Sequence, residues 1–107
     1  MGKQNWEHIP LINNDSGDKK RFELKIDDQV AFTDYMISKQ NIIYLTHTEV
    51  PNALEGQGVG SALVSKVLDH IKQTGLKMAP LCPFVAAYLK RHPEMADGLL
   101  APGYSVG

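Results

Sequence analysis

The sequence predicts one domain of the mixed α/β, α+β kind, with a mainly antiparallel sheet and a single β-α-β crossover. Three observations predict it. Phe22, Leu24 and Ile26 alternate with Glu23, Lys25 and Asp27, the period of a strand with one buried face. Val59, Leu63, Val67 and Ile71 recur every four residues, the period of a helix that buries one side. A short continuous apolar run stands on each side of that helix, as expected of two parallel strands joined by a right-handed crossover. The 107 residues suffice for one such core and are too few for two ordinary domains.

Residues 1–20 collect Gly2, Pro10, Asn13, Asn14, Asp15, Ser16, Gly17 and Asp18 without periodicity, so a loosely ordered arm is expected, with Trp6 as its one anchor. The domain proper is expected over residues 21–100. Its first strand starts at Arg21, and Asp27, Asp28 and Gln29 connect it tightly to a second strand over residues 30–37. Residues 38–41 turn the chain into the apolar run Ile42, Ile43, Tyr44, Leu45, a third strand ending near His47. After a polar, Pro-broken passage comes the striped helix, its hydrophobic face widened by Ala62, Val64 and Leu68 and its end marked by Gly75. Residues 76–81 suit a fourth strand. Pro83 stands where a second helix begins, and His92 and Pro93 end it. Residues 101–107, with Pro102, Gly103 and Gly107, read as a frayed tail.

Composition narrows the function. The lone cysteine, Cys82, cannot form a disulfide within the chain, and no segment resembles a secretory signal or a stop-transfer run, so a cytoplasmic address is expected. No apolar run is long enough to span a membrane. With 11 Lys and Arg against 12 Asp and Glu, a net charge of −1, the chain lacks the basic excess that nucleic acid would require.

The informative stretch is Glu55-Gly56-Gln57-Gly58-Val59-Gly60-Ser61-Ala62, three glycines at the entrance of an otherwise good helix. Inside a helix each glycine costs up to about 1 kcal/mol relative to alanine. A bound anion is one reason to keep them, because helix N-termini present unpaired N–H groups and partial positive charge, and glycine lets a pyrophosphate come close. A flexible turn is the other reading. No Ser, Thr, Asp or Asn stands at the capping position, which leaves the amides free. The spacing does not fit a Walker loop, which needs Gly-Lys-Ser/Thr, nor the Gly-x-Gly-x-x-Gly dinucleotide fingerprint.

The segment Gln57-Gly58-Val59-Gly60-Ser61-Ala62 resembles the Gln/Arg-x-x-Gly-x-Gly/Ala signature of the GNAT-type N-acetyltransferases. His47-Thr48-Glu49-Val50-Pro51 before it, and Pro80-Leu81-Cys82-Pro83-Phe84-Val85 and Arg91-His92-Pro93-Glu94 after it, are similar to the small, minimal members of that superfamily. The resemblance implies a GNAT-like fold with splayed central strands, acetyl-CoA as cofactor and an amine as acceptor. It implies that Gln57, Gly58, Val59, Gly60, Ser61 and Ala62 hold the pyrophosphate. Leu45, Thr46, Glu49 and Val50 would line the pantetheine arm, and Arg91 and His92 are a candidate contact for a CoA phosphate. One departure stands out: larger members place helices between the first two strands, whereas here three residues separate them. The acceptor side is therefore expected to be open.

Two residues are candidates for the chemistry. Cys82 precedes the helix-opening Pro83, where the dipole favours a thiolate, although a buried cysteine serves equally as a small core residue. In the small GNAT-like domains the matching cysteine faces the thioester. His47 is in phase with Ile43 and Leu45 and is expected to share their face; its imidazole suits a general base, with Glu49 as the carboxylate alternative. Direct transfer with His47 as base and a two-step path through acetylated Cys82 both remain open. A different class, a non-catalytic acyl-CoA-binding sensor, would use the same glycine loop. No zinc-type spacing joins His47, Glu49, Cys82 and His92.

Overall fold

Strand alternation and the helical stripe lead to the expected mixed domain with a mainly antiparallel sheet and one β-α-β crossover, with one strand more than the periodicity announces. The computed structural model describes Trp6, residues 8–15 and residues 20–104. Its order is β1 (Ile12–Asn14), β2 (Lys20–Ile26), β3 (Gln29–Ile37), β4 (Ile42–Glu49), a 3₁₀ turn at Asn52–Leu54, α1 (Val59–Thr74), β5 (Lys77–Pro80), α2 (Pro83–Arg91) and a second 3₁₀ turn at Pro93–Ala96. The five strands lie in sequence order, antiparallel from β1 to β4, with β5 parallel to β4.

β1 falls within the segment expected to be a loose arm. It is only three residues long, and Asn13 and Asn14 hide its pattern. Tyr35 holds it in place by donating a 2.6 Å hydrogen bond from its hydroxyl to Asn13 Oδ1. Burial pushes that phenol above its ordinary value of 10, the Asn13 bond pulls it down, and the Asp15 carboxylate adds to the rise. The rest of the expected arm, residues 1–5, 7 and 16–19, lies outside the described residues, as do residues 105–107 of the expected tail.

Both helices cover one face of the sheet. Phe22, Leu24 and Ile26 of β2, Ala31 and Tyr35 of β3, and Ile43 and Leu45 of β4 form a core with Val59, Leu63, Val64, Val67, Leu68 and Ile71 of α1 and Val85 and Leu89 of α2. α1 stops at Gly75, which adopts φ +81° and donates its N–H to the Ile71 carbonyl. The chain beyond α2 also docks. Leu99 accepts from the Met78 N–H at 2.6 Å, Ala101 donates to the Met78 carbonyl at 2.8 Å, and both side chains are buried. The predicted tail therefore remains packed as far as Ala101. Among the described residues no helix is long and apolar enough to cross a membrane.

β4 carries an irregularity that periodicity cannot reveal. Tyr35 opposes Leu45 while Asp34 opposes His47, so Thr46 is an extra residue, a bulge. Beyond it the alternation shifts by one. Thr48, opposite buried Thr33, takes the helix-facing side, and His47 and Glu49 turn to the bare face with Asp34 and Phe32. This corrects the expectation that His47 shares a face with Ile43 and Leu45. The strand also runs two residues past His47, because Thr48 and Glu49 still pair with β3.

Two glycines of α1 separate two kinds of constraint. A Cβ at Gly75 would meet nothing within 4 Å, so Gly75→Ala is opposed by the left-handed backbone alone and should cost about 1–2 kcal/mol. A Cβ at Gly60 would run into Cζ of Phe84, the far end of a ring that is partly exposed and can swing aside. Gly60→Ala should therefore move the Phe84 ring with a stability change within about 1 kcal/mol. Urea unfolding of both variants and the aromatic NMR shifts of Phe84 check this contrast.

Candidate functional site

Parallel pairing between β4 and β5 ends at Leu45 opposite Pro80. Leu81 and Cys82 then lead into α2, and the Cys82 N–H takes the Leu45 carbonyl at 2.8 Å. Among the described residues, 46–49 of β4 have no strand partner on that side. α1 begins beside this free edge. A cleft of about 540 Å³ lies between them, walled by Thr48, Glu49 and Val50 of the β4 end, Gly58, Val59, Gly60 and Ser61 of the α1 entrance, and Phe84 of α2. Leu54, Glu55 and Gly56 close its remaining side.

The entrance of α1 is built to leave its amides open. Gly58 is the N-cap in a left-handed conformation, φ +82°, and has no side chain with which to cap. The first helical bond of this turn runs from the Ala62 N–H to the Gly58 carbonyl, 3.0 Å. Val59, Gly60 and Ser61 therefore precede it, with N–H groups that the helix itself does not use. The Ala62 N–H is already taken, its side chain packs on the core, and it does not border the cleft. Gln57 is also diverted: its side-chain amide donates to the Ala53 carbonyl at 3.0 Å, and its own carbonyl accepts from the Trp6 indole at 2.8 Å.

The other predicted residues divide clearly. Leu45 is fully buried and its carbonyl is occupied by Cys82. Thr46, in the bulge, donates its hydroxyl to the Asp34 carbonyl at 3.3 Å. Arg91 and His92 stand at the far end of α2, about 13 Å along a nine-residue helix from Cys82, and do not border the cleft. His92 instead lies 4.7 Å from the Tyr88 ring and 3.8 Å from the Glu94 carboxylate.

Cys82 and His47 are not brought together. The Cys82 thiol, 2% exposed, donates to Thr48 Oγ1 at 3.2 Å, and Thr48 shares a 3.0 Å hydroxyl contact with Thr33. This small polar chain lies on the helix side of β4. His47 lies on the other side, its Nε2 2.8 Å from Glu49 Oε2. A carboxylate only accepts, so Nε2 is the donor in this contact, and Nδ1 is the nitrogen that the contact does not use. Glu49 joins the two regions, since it both borders the cleft and holds the imidazole. Among the described residues no group of three or more His, Cys, Asp or Glu is arranged to hold a metal.

Sequence reasoning missed Thr48, Leu54, Glu55, Gly56 and Phe84 as cleft residues. Gly56 carried a signal as one of the three entrance glycines, and Thr48, Glu55 and Phe84 stood within motif-bearing stretches without pointing to a cleft. Thr48 was hidden by the bulge.

A family model described as GCN5-related N-acetyl-transferase matches residues 21–98. Among curated proteins, the chain is 35% identical over 54 residues to Protein NATD1 of Gallus gallus, which covers 50% of this chain and 49% of that protein. It is 29% identical over 82 residues to Protein NATD1 of Xenopus tropicalis, covering 71% of this chain and 73% of the other. With Protein NATD1 of Danio rerio it shares 29% identity over 91 residues, covering 78% and 81%. The match spans about half the length of the chicken relative and more of the frog and fish ones.

The hydroxyl chain beside Cys82 makes a direct prediction. Thr48→Val keeps the shape but leaves the fully buried Thr33 hydroxyl without that partner, so the variant should lose about 1–3 kcal/mol in urea unfolding. Replacing Thr33 with Val as well should recover part of the loss.

Proposed function

The chain belongs to the GCN5-related N-acetyltransferase family, and from that premise we propose that it transfers an acetyl group from acetyl-CoA to an amine. The observation that carries this reading is the cleft between the free edge of β4 and the uncapped entrance of α1. The residues present fit the cofactor. Val59, Gly60 and Ser61 offer amides that the helix itself leaves unused and the positive end of a sixteen-residue helix to a pyrophosphate, and glycine at 58 and 60 keeps Cβ atoms out of the way. The free side of residues 46–49 offers backbone groups to the amides of a pantetheine arm. Val50, Leu54 and Phe84 keep part of the cleft wall apolar. When bound, acetyl-CoA supplies an acetyl group activated as a thioester.

The chain's own part is then to bind, orient and take a proton. His47 is the base, because Glu49 fixes its ring through Nε2 and leaves Nδ1 to accept the proton of the attacking amine, directly or through one water. Its imidazole is about half exposed on the bare face, where an acceptor can arrive. Cys82 is the weaker candidate, since an acetyl-cysteine would require a buried, hydrogen-bonded thiol to be uncovered. The non-catalytic sensor has one observation in its favour. Only a two-residue turn joins β2 to β3, which leaves the bare face without a wall of helices to hold an acceptor.

Two variants test the reading. Ser61→Asp adds an anion to the first turn of α1, which favours the helix by about 0.3–1 kcal/mol but repels a phosphate. It should keep or raise the melting temperature and weaken acetyl-CoA binding at least about tenfold in calorimetry. His47→Ala should leave that affinity unchanged and lower acetyl transfer to a competent amine by about 10²–10⁴. Loss of transfer in Cys82→Ala with His47→Ala still active would support the two-step route, and binding without transfer to any amine would support the sensor.

A further inference from the structure

We infer that Trp6 is a positioning residue for the phosphate loop, fixing from outside the cleft the peptide that offers the first amide to the ligand. The inference rests on the reading of the cleft as the acetyl-CoA site. The indole Nε1 donates to the Gln57 carbonyl at 2.8 Å, a contact between residues 51 positions apart. Trp6 is half-buried and its side chain packs against the edge of the core, while its backbone carbonyl accepts from the Ile9 N–H at 3.1 Å, so ring and backbone are each held.

The contact matters because of what the next residue does. In a trans peptide the carbonyl and the following N–H point in opposite directions, and no cis bond occurs among the described residues. The Gln57 carbonyl points to the Trp6 side, where a second hollow of about 550 Å³ is bordered by Trp6, Ile9, Leu54 and Gln57. The Gly58 N–H is therefore directed the other way, toward the cleft that Gly58 borders. Gly56 and Gly58 both have positive φ, so this stretch has unusual freedom to turn its peptide planes. The Gln57 side chain, tied to Ala53, fixes the residue but not the plane of the peptide that follows it. The indole fixes that plane. A ligand then meets an amide already aimed, and the ordering that binding would otherwise require is done in advance.

Trp6→Phe tests this, since it removes the N–H and keeps an aromatic ring against the core. Acetyl-CoA affinity should fall about threefold to tenfold, the range expected for one neutral hydrogen bond, with the melting temperature nearly unchanged. Independently of any ligand, amide hydrogen exchange at Ala62, whose N–H closes the first turn on the Gly58 carbonyl, should accelerate in Trp6→Phe while exchange in the middle of α1 stays as in the wild type. Unchanged exchange at Ala62, or unchanged affinity alongside tight wild-type binding, overturns the positioning role. If the wild type binds no acetyl-CoA, the reading of the cleft fails, and the exchange measurement still decides whether Trp6 orders the loop.

Discussion

The feature on which the rest of the site depends is the parting of β4 and β5. Two parallel strands stay together only while each offers N–H and C=O groups to the other, and here that exchange lasts four residue pairs. Cys82 takes the Leu45 carbonyl as its chain leaves the sheet, and Pro83 commits the following residues to a helix. β4 has no such instruction and continues to Glu49, still paired with β3 on its other side. The result is an edge inside the sheet, open toward the uncapped end of α1. Backbone chemistry alone thus produces a slot with amides on one wall and strand groups on the other, before any side chain is considered.

The bulge at Thr46 then distributes the reactive side chains. One inserted residue places Thr48 beside the Cys82 thiol and sends His47 and Glu49 through to the bare face. A sheet is an effective partition, so the sulfur and the imidazole experience different surroundings. The thiol lies in the core with two hydroxyls, whereas the imidazole is open to water.

Much of this was legible from residue types. Alternation at Phe22, Leu24 and Ile26, the stripe from Val59 to Ile71, the stop at Gly75 and the start at Pro83 are local signals whose physics acts within a few residues, and each element stands where they indicate. The glycine loop was legible for the same reason, because glycines at a helix entrance are locally unfavourable and call for an explanation. What escaped were features decided across the sheet. A bulge is a mismatch between two strands, so neither strand carries it alone, and counting by twos from Leu45 put His47 on the wrong side. β1 was too short and polar to announce itself; its place comes from Tyr35, distant in sequence. Gly60 has a second reason that no spacing shows, since the Phe84 ring occupies the place of its missing Cβ.

Both outer margins of the sheet are kept short. On one side β1 offers three residues, and on the other the segment after the second 3₁₀ turn lies against β5, with Leu99 and Ala101 using both backbone groups of Met78. An unprotected strand margin is a template for a second chain, and a small sheet with one bare face is especially vulnerable to such joining. Met36 and Ile37, exposed on β3, would otherwise give a growing stack a greasy surface to close over. The last docked residues therefore act as a guard on that margin, occupying backbone groups that a second chain would otherwise find open.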